Sequence, residues 1–331
     1  FAYALADQPT AAGPYVPAAA TRYSSAGGTI EIMHSATGVY AVRFAGLGRT
    51  PGQRDNVQVS AYNATSPVIC KPAAWNAGSA DLQVTVVCYT PNALPVDSRF
   101  DIMVAGAWAF GRTAPLAFAF VRADSASAVL DSSATYRNST GGPVLVGHVA
   151  EGSIAMILKG LEPAWAARPA AIQISPAGQG ARRCRLIAID LSIAGLGINC
   201  TRAGGAPGGT PFSILWLQQG RASVRFGFAY AQNAGQTTEY DTDPAFRINS
   251  SGGAVRARKT SPGHYRVVFA GLGRSGSESE TVLVQPFLYL DRVCDITSWG
   301  NTGASDLFVD VACFDPASTA VDTGFSVMVV Q

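Results

Sequence analysis

Three copies of one pattern run head to tail along this 331-residue chain, and no other feature narrows the fold as far. Gly38-Val-Tyr-Ala-Val-Arg-Phe-Ala-Gly-Leu-Gly48 returns as Gly263-His-Tyr-Arg-Val-Val-Phe-Ala-Gly-Leu-Gly273. A degenerate version, Gly152-Ser-Ile-Ala-Met-Ile-Leu-Lys-Gly-Leu161, lies between them. The steps from Gly38 to Cys70, Gly152 to Cys184 and Gly263 to Cys294 agree to within one residue. Upstream, Ser24-Ser-Ala-Gly-Gly28, Asn138-Ser-Thr-Gly-Gly142 and Asn249-Ser-Ser-Gly-Gly253 match. Each copy opens on an aromatic-alanine strand, at Phe1-Ala-Tyr3, Phe118-Ala-Phe120 and Phe228-Ala-Tyr230. Near the far end, Asp97-Ser-Arg-Phe100 and Asp322-Thr-Gly-Phe325 lead into a last apolar strand. The units predicted are 1–113, 114–226 and 227–331, joined by stretches too short to be free linkers.

The second copy has drifted. Ile154 stands where the others have Tyr40 and Tyr265, Leu158 where they have Phe44 and Phe269, and Ile189 where they have Trp75 and Trp299. Apolar character survives while identity changes, which is what a packing position tolerates.

Each copy reads as β throughout. Tyr40, Val42 and Phe44 alternate with Val39, Ala41 and Arg43, a period of two. Leu82, Val84, Val86 and Cys88 alternate in a later strand, matched by Leu307, Val309, Val311 and Cys313. Gly/Pro/Asn/Ser turns separate such runs, and no stretch keeps a helical period. The expected class is all-β: three tandem antiparallel β-sandwich repeats, immunoglobulin-like or jelly-roll-like, each with one disulfide.

The six cysteines fall two to a copy, so the repeat itself selects the pairs Cys70–Cys88, Cys184–Cys200 and Cys294–Cys313. Each closes a short loop, a constraint that contributes roughly 3 kcal/mol in the chain-entropy model. Paired cysteines imply an oxidising compartment, hence secretion or the cell surface. Phe1 is not a start methionine, so the chain reads as a mature or trimmed form. Lysine occurs only at Lys71, Lys159 and Lys259 against many arginines, a usage that suggests a GC-rich bacterial genome. With 24 Lys+Arg against 22 Asp+Glu, the net charge of +2 lacks the footprint of a general nucleic-acid binder. No apolar run is long enough for a membrane-spanning helix.

The succession Phe-Ala-x-x-x-Ala-Asp (Phe1 to Asp7, Phe118 to Asp124), Asn-Ser-x-Gly-Gly, Gly-x-Tyr-x-Val-x-Phe-x-Gly-Leu, Cys…Trp and Asp-Ser-x-Phe resembles uncharacterised repeat domains of secreted bacterial proteins. The likeness implies secretion and a β-rich repeat, and it brings no activity and no functional residues. The Gly-x-Tyr strand and the Asp-Ser-x-Phe ending are also similar to trimeric jelly-roll heads of the complement-head type. That second likeness implies a single-chain pseudo-trimer in place of beads in a row.

Chemistry is harder to find. Gly271-Leu-Gly273-Arg-Ser-Gly276 matches G-x-G-x-x-G, but a strand-like run follows where a phosphate-binding helix would be needed, so it reads as a turn. Neither G-x-S-x-G nor H-E-x-x-H occurs. His34, His148 and Lys259 hold the same place in the three copies, four residues before Gly38, Gly152 and Gly263. A basic side chain repeated at one strand position reads as a sheet-face contact, not a catalytic base. Glu239-x-Asp241-x-Asp243 could offer oxygen ligands to calcium; as a solvated loop it would hold none. No other cofactor is expected.

Two non-catalytic functions follow as expectations. One is a structural subunit of a surface coat or filament, which would join through the strands at residues 1–5 and 325–330 if their edges are unpaired. The other is an extracellular carbohydrate- or surface-binding module that uses loop aromatics, with Trp165 the leading contact, Tyr240 beside it, and Tyr15, Tyr23, Tyr136 and Tyr289 as further candidates. An accessory region of a secreted enzyme, or an inhibitor, is the third. The partners implied are further copies of the chain, other cell-surface proteins or polysaccharide, without nucleic acid or a membrane span.

Overall fold

The computed structural model describes residues 1–49, 55–63, 65–106, 116–121, 128–130, 136–161, 169–190, 192–218, 224–275, 278–288, 291–303 and 305–331. The first copy supplies β1 (Ala2–Ala6), β2 (Arg22–Ser24), β3 (Ile30–Ala36), β4 (Val39–Phe44), β5 (Asp55–Tyr62), β6 (Ile69–Ala77), β7 (Leu82–Tyr89) and β8 (Arg99–Gly106). The second supplies β9 (Leu116–Val121), β10 (Ala128–Leu130), β11 (Tyr136–Asn138), β12 (Val144–Ala150), β13 (Ser153–Leu158), β14 (Ala170–Pro176), β15 (Arg183–Asp190), β16 (Gly195–Thr201) and β17 (Phe212–Gln218). The third supplies β18 (Phe226–Ala231), β19 (Tyr240–Asp241), β20 (Arg247–Asn249), β21 (Val255–Ser261), β22 (His264–Phe269), β23 (Thr281–Pro286), β24 (Val293–Thr302), β25 (Asp306–Phe314) and β26 (Phe325–Val330). Apart from two single-turn 3-10 segments there is no helix among the described residues.

The same strand order recurs in every copy. In the first it is β2-β1-β8-β5 and β3-β4-β7-β6; the third repeats it as β20-β18-β26-β23 and β21-β22-β25-β24, with β19 added at the edge. This is not the immunoglobulin order, in which the first two strands pair beside the fifth and fourth. The pairings also correct the alignment of the first strands. Tyr3, Phe118 and Phe228 are the equivalent residues, because they face Met103, Leu215 and Met328. The aromatic-alanine match was therefore two residues out in the first copy. A slip of two keeps every side chain on its face, which is why the pattern still read correctly. The third copy's first strand begins at Phe226, one residue before the boundary placed from sequence.

The recurring motifs turn out to be fasteners. Asp97 accepts from the Gly38 N–H (2.6 Å) and faces His34 Nε2 (2.9 Å), while the Tyr40 hydroxyl accepts from the Ser98 N–H (2.9 Å). In the third copy Asp322 holds Gly263 and Lys259, and Tyr265 holds Thr323. The second copy has Gly209 and Ile154 at those two places, so both partners of the clasp were lost together. Gly38 has φ +68°, and a Cβ there would lie 2.5 Å from the Cys88 carbonyl oxygen. Gly38→Ala is therefore expected to lose more than about 1 kcal/mol in urea unfolding.

How the copies meet is the main finding. Alternate residues of β1, β5 and β8 (Ala2, Ala4, Val57, Val59, Ile102, Val104) pack into the first copy's own core with β3, β4, β6 and β7. The opposite face of the same sheet is also buried. Phe1, Tyr3 and Met103 join a cluster that contains residues from all three copies. On β5 the polar alternates Asn56, Gln58 and Ser60 are only 1%, 1% and 6% exposed.

Three equivalent side chains stitch this central contact in a cycle. Ser175 Oγ of the second copy accepts from Val59 N–H (2.9 Å) of the first. Gln285 of the third copy accepts from Ile174 N–H (2.6 Å) and donates to Ile172 O (3.0 Å) of the second. Ser60 of the first accepts from Val284 N–H (2.9 Å) and donates to Val284 O (3.1 Å) of the third. A second cycle lies two residues beyond each first cysteine. There Pro72 O accepts from Gly178 N–H, Leu186 bridges Phe287, and Ile296 pairs in parallel with Tyr62.

The copies are thus closed into a ring, not laid out in a row. Of the two arrangements expected from the sequence, the contacts are those of the single-chain pseudo-trimer. The condition for joining through the end strands is not met. β1 is flanked by β2 and β8, and β26 by β18 and β23, so neither has an open edge.

Candidate functional site

The three cysteine pairs form as expected, each between directly opposed residues of neighbouring strands. Cys88, Cys200 and Cys313 are fully buried. Among the described residues there is no free cysteine and no group of three side chains able to hold a metal ion. Glu239 is drawn to Arg256 (2.7 Å), and Asp243 caps a 3-10 turn by accepting from Ala245 N–H (2.8 Å), so the acidic run does not converge. Trp165 lies outside the described residues, as does Tyr289. Tyr240 sits half-buried on β19 against the third copy's core, and burial pushes its hydroxyl pKa up.

His34 Nε2 lies 2.9 Å from Asp97, which also holds the hairpin at Gly38, and the adjacent Ser98 hydroxyl donates to Arg99 O (3.0 Å). Lys259 makes the equivalent contact to Asp322 in the third copy. Residues 271–275 of the G-x-G-x-x-G run follow β22, with Gly271 N–H held by Asp306 (2.9 Å), and the next element among the described residues is strand β23.

A cleft of about 280 Å³ in the first copy is the more informative place. Arg22, Tyr23 and Ser24 of β2 line it with Gly27, Gly28, Thr29 and Ile30. Its origin can be read from the repeat. In the other copies the position of Ser24 is Asn138 or Asn249, whose amide accepts from the backbone two residues on. Each amide also donates across to the carbonyl of Lys159 or Ala270 at 2.8 Å. Serine is too short to make that span, so the first copy lacks the cross-link of the other two. The Ser24 hydroxyl is buried, with no hydrogen-bond partner among the described residues.

Tyr23 completes the cleft. Its equivalent in the third copy, Ile248, is 1% exposed, whereas Tyr23 is 44% exposed. The ring is held in place by stacking on Tyr3 (centroids 5.6 Å apart, 28° between planes) and by Phe1 at 5.9 Å. Tyr3 is itself anchored to the third copy, its hydroxyl donating to Ser279 O at 2.8 Å. The result is a rigid, half-open aromatic face beside small polar groups. Sequence reading named Tyr23 only as one of several aromatics. The signal that separates it, serine in place of asparagine at the next position, was present in the repeat alignment.

No protein-family model, curated protein or solved structure matches the chain.

Proposed function

We propose that the protein is a secreted, non-catalytic carbohydrate-binding module, built of three sandwich repeats closed into a ring, with its ligand in the Tyr23 cleft. The observation that carries this reading is a half-open, pre-stacked tyrosine at the edge of a cleft lined by Arg22, Thr29 and backbone polar groups. A sugar ring presents an apolar face to stack and hydroxyls to satisfy, and the cleft sits near the small end of ligand-site volumes, suited to one or two sugar units. Three formed disulfides support an extracellular setting. Assembly through the chain ends is the less favoured reading, because both terminal strands are already flanked.

The test is a glycan array probed with the intact protein, followed by titration of any hit. Tyr23→Ala is expected to weaken binding at least tenfold without changing the unfolding midpoint by more than a few degrees. Ser24→Asn restores the cross-link of the other copies and should abolish binding while leaving the fold intact. Binding by Ser24→Asn at the level of the parent protein, or no glycan bound by the parent, would remove the reading.

A further inference from the structure

The ring axis ends, on the disulfide side, in a cavity of about 70 Å³ to which all three copies contribute. Cys70, Cys184 and Cys294 line it, with Ile69, Arg183 and Val293 one residue before them. These last three are equivalent positions. Two carry the aliphatic side chain that a buried site favours, and one carries an arginine that is only 5% exposed.

The arginine is not balanced by its surroundings. Arg183 donates Nη2 to Asp291 (2.6 Å), but the same carboxylate also receives Arg185 Nη1 (3.1 Å) and the Thr201 hydroxyl (3.0 Å). Arg292, next along the chain, adds a third guanidinium and lines the cavity too. The other acid there, Asp295, is fully buried, and burial pushes its carboxyl well above the usual range. Arg183 therefore shares the single carboxylate of Asp291 with Arg185 and Thr201. Burial also lowers the pKa values of Arg183 and Arg185, and it brings that of Lys71, which sits at the position equivalent to Arg185 and Asp295, down to about 7.

Hydrogen bonding is incomplete at the same spot. Arg183 Nε and Nη1, Arg292 Nε and Asp295 Oδ1 are buried without a partner among the described residues. Buried positive charge without a matching anion is strongly destabilising, and unpaired buried donors add to that. Water would satisfy the donors but leave the charge.

We infer that the axial cavity is a binding site for one small inorganic anion, held by Arg183 of the second copy and Arg292 of the third against the wall made by Val68, Ile69 and Cys70 of the first. Its volume admits a halide or a compact oxyanion and excludes an organic acid of sugar size. Since its donors come from two copies and its wall from the third, the anion locks the ring at this end.

The experiment is thermal and urea unfolding of the intact, oxidised chain at constant ionic strength, with sodium gluconate replaced stepwise by sodium bromide or by sodium sulfate. The parent protein should gain in its folding equilibrium constant with the bound anion, approaching tenfold per tenfold rise in concentration once the site fills. Arg183→Ile, which copies Ile69, should show no such response. A crystal grown in bromide should give an anomalous peak within contact of the Arg183 guanidinium. A response to bromide alone identifies a halide site, and one to sulfate alone an oxyanion site. An equal response in parent and variant, or water alone in the cavity of the bromide crystal, would overturn the inference.

Discussion

Asp101→Asn is expected to match the parent protein in stability at pH 4 and to exceed it at pH 8. Asp101 of β8 lies in the seam between the first and third copies, fully buried. Its two oxygens contact Thr281 Oγ1 (2.7 Å) and Val282 N (2.9 Å). Burial, only partly opposed by these contacts, pushes its pKa up to about 8. In the protonated form one oxygen donates to Thr281 Oγ1 and the other accepts from Val282 N–H. An asparagine reproduces both contacts, amide donating and carbonyl accepting, without an ionisable proton. Because the folded pKa lies above the unfolded value of about 3.9, the folded state holds the extra proton in between. Stability is then full below about pH 4 and falls as pH rises to about 8, by on the order of 5 kcal/mol from this group. Asp295 acts in the same direction, so the variant should reduce the slope without flattening it. Lys71, with its pKa lowered to about 7, acts in the opposite sense, adding stability as pH rises from about 7 to 10. Urea midpoints of parent and variant at pH 4, 6 and 8 decide the matter; parallel pH profiles would show that Asp101 does not titrate in the folded seam.

Trp216→Val should cost about 3 kcal/mol, and adding Leu158→Phe should return a good part of it. Trp216 occupies the position of Val104 and Val329, as its pairings show, and it is fully buried. The second copy lost ring volume where it has Ile154 for tyrosine and Leu158 for phenylalanine, and it gained an indole on the facing sheet. Both Trp216 and Leu158 belong to one cluster. A core tolerates such exchanges when total volume is kept, whereas removing the indole alone leaves a cavity. The double-mutant cycle on urea unfolding is the measurement, with a coupling of at least about 1 kcal/mol expected. Strict additivity would mean that the two sites do not share their volume.

Much of the fold was legible in the sequence for a specific reason. Strand period, turn glycines and cysteine spacing are local or repeat with the chain, so Tyr40–Phe44, Gly38 and Cys70–Cys88 could be placed without knowing what packs on what. Sites were less legible. In the acidic run at Glu239–Asp243, Glu239 accepts from Arg256 and Asp243 from the Ala245 N–H, contacts that its spacing alone does not reveal. Conversely Lys71, Asp101, Arg183 and Asp295 attracted no notice, since a charged residue within a strand reads as solvent-facing until its neighbour across the seam is known.

The β5 segment Asn56-Val-Gln-Val-Ser-Ala61 marks the boundary between the two kinds of information. Val57, Val59 and Ala61 alternate with Asn56, Gln58 and Ser60, and the apolar set fills the first copy's core. By the same logic Asn56, Gln58 and Ser60 should meet water. They meet the other copies, where Asn56 donates to Ile214 O (2.9 Å) and Ser60 clasps Val284. The sequence alone determined the β class, the alternation within strands such as Val39–Phe44 and Leu82–Tyr89, and the three cysteine pairs, because periodicity and repetition act along one chain. Only the tertiary structure decided that the units close into a ring. A polar side chain satisfied by another copy's backbone and one satisfied by water are written with the same residue, and the choice between them depends on what stands opposite.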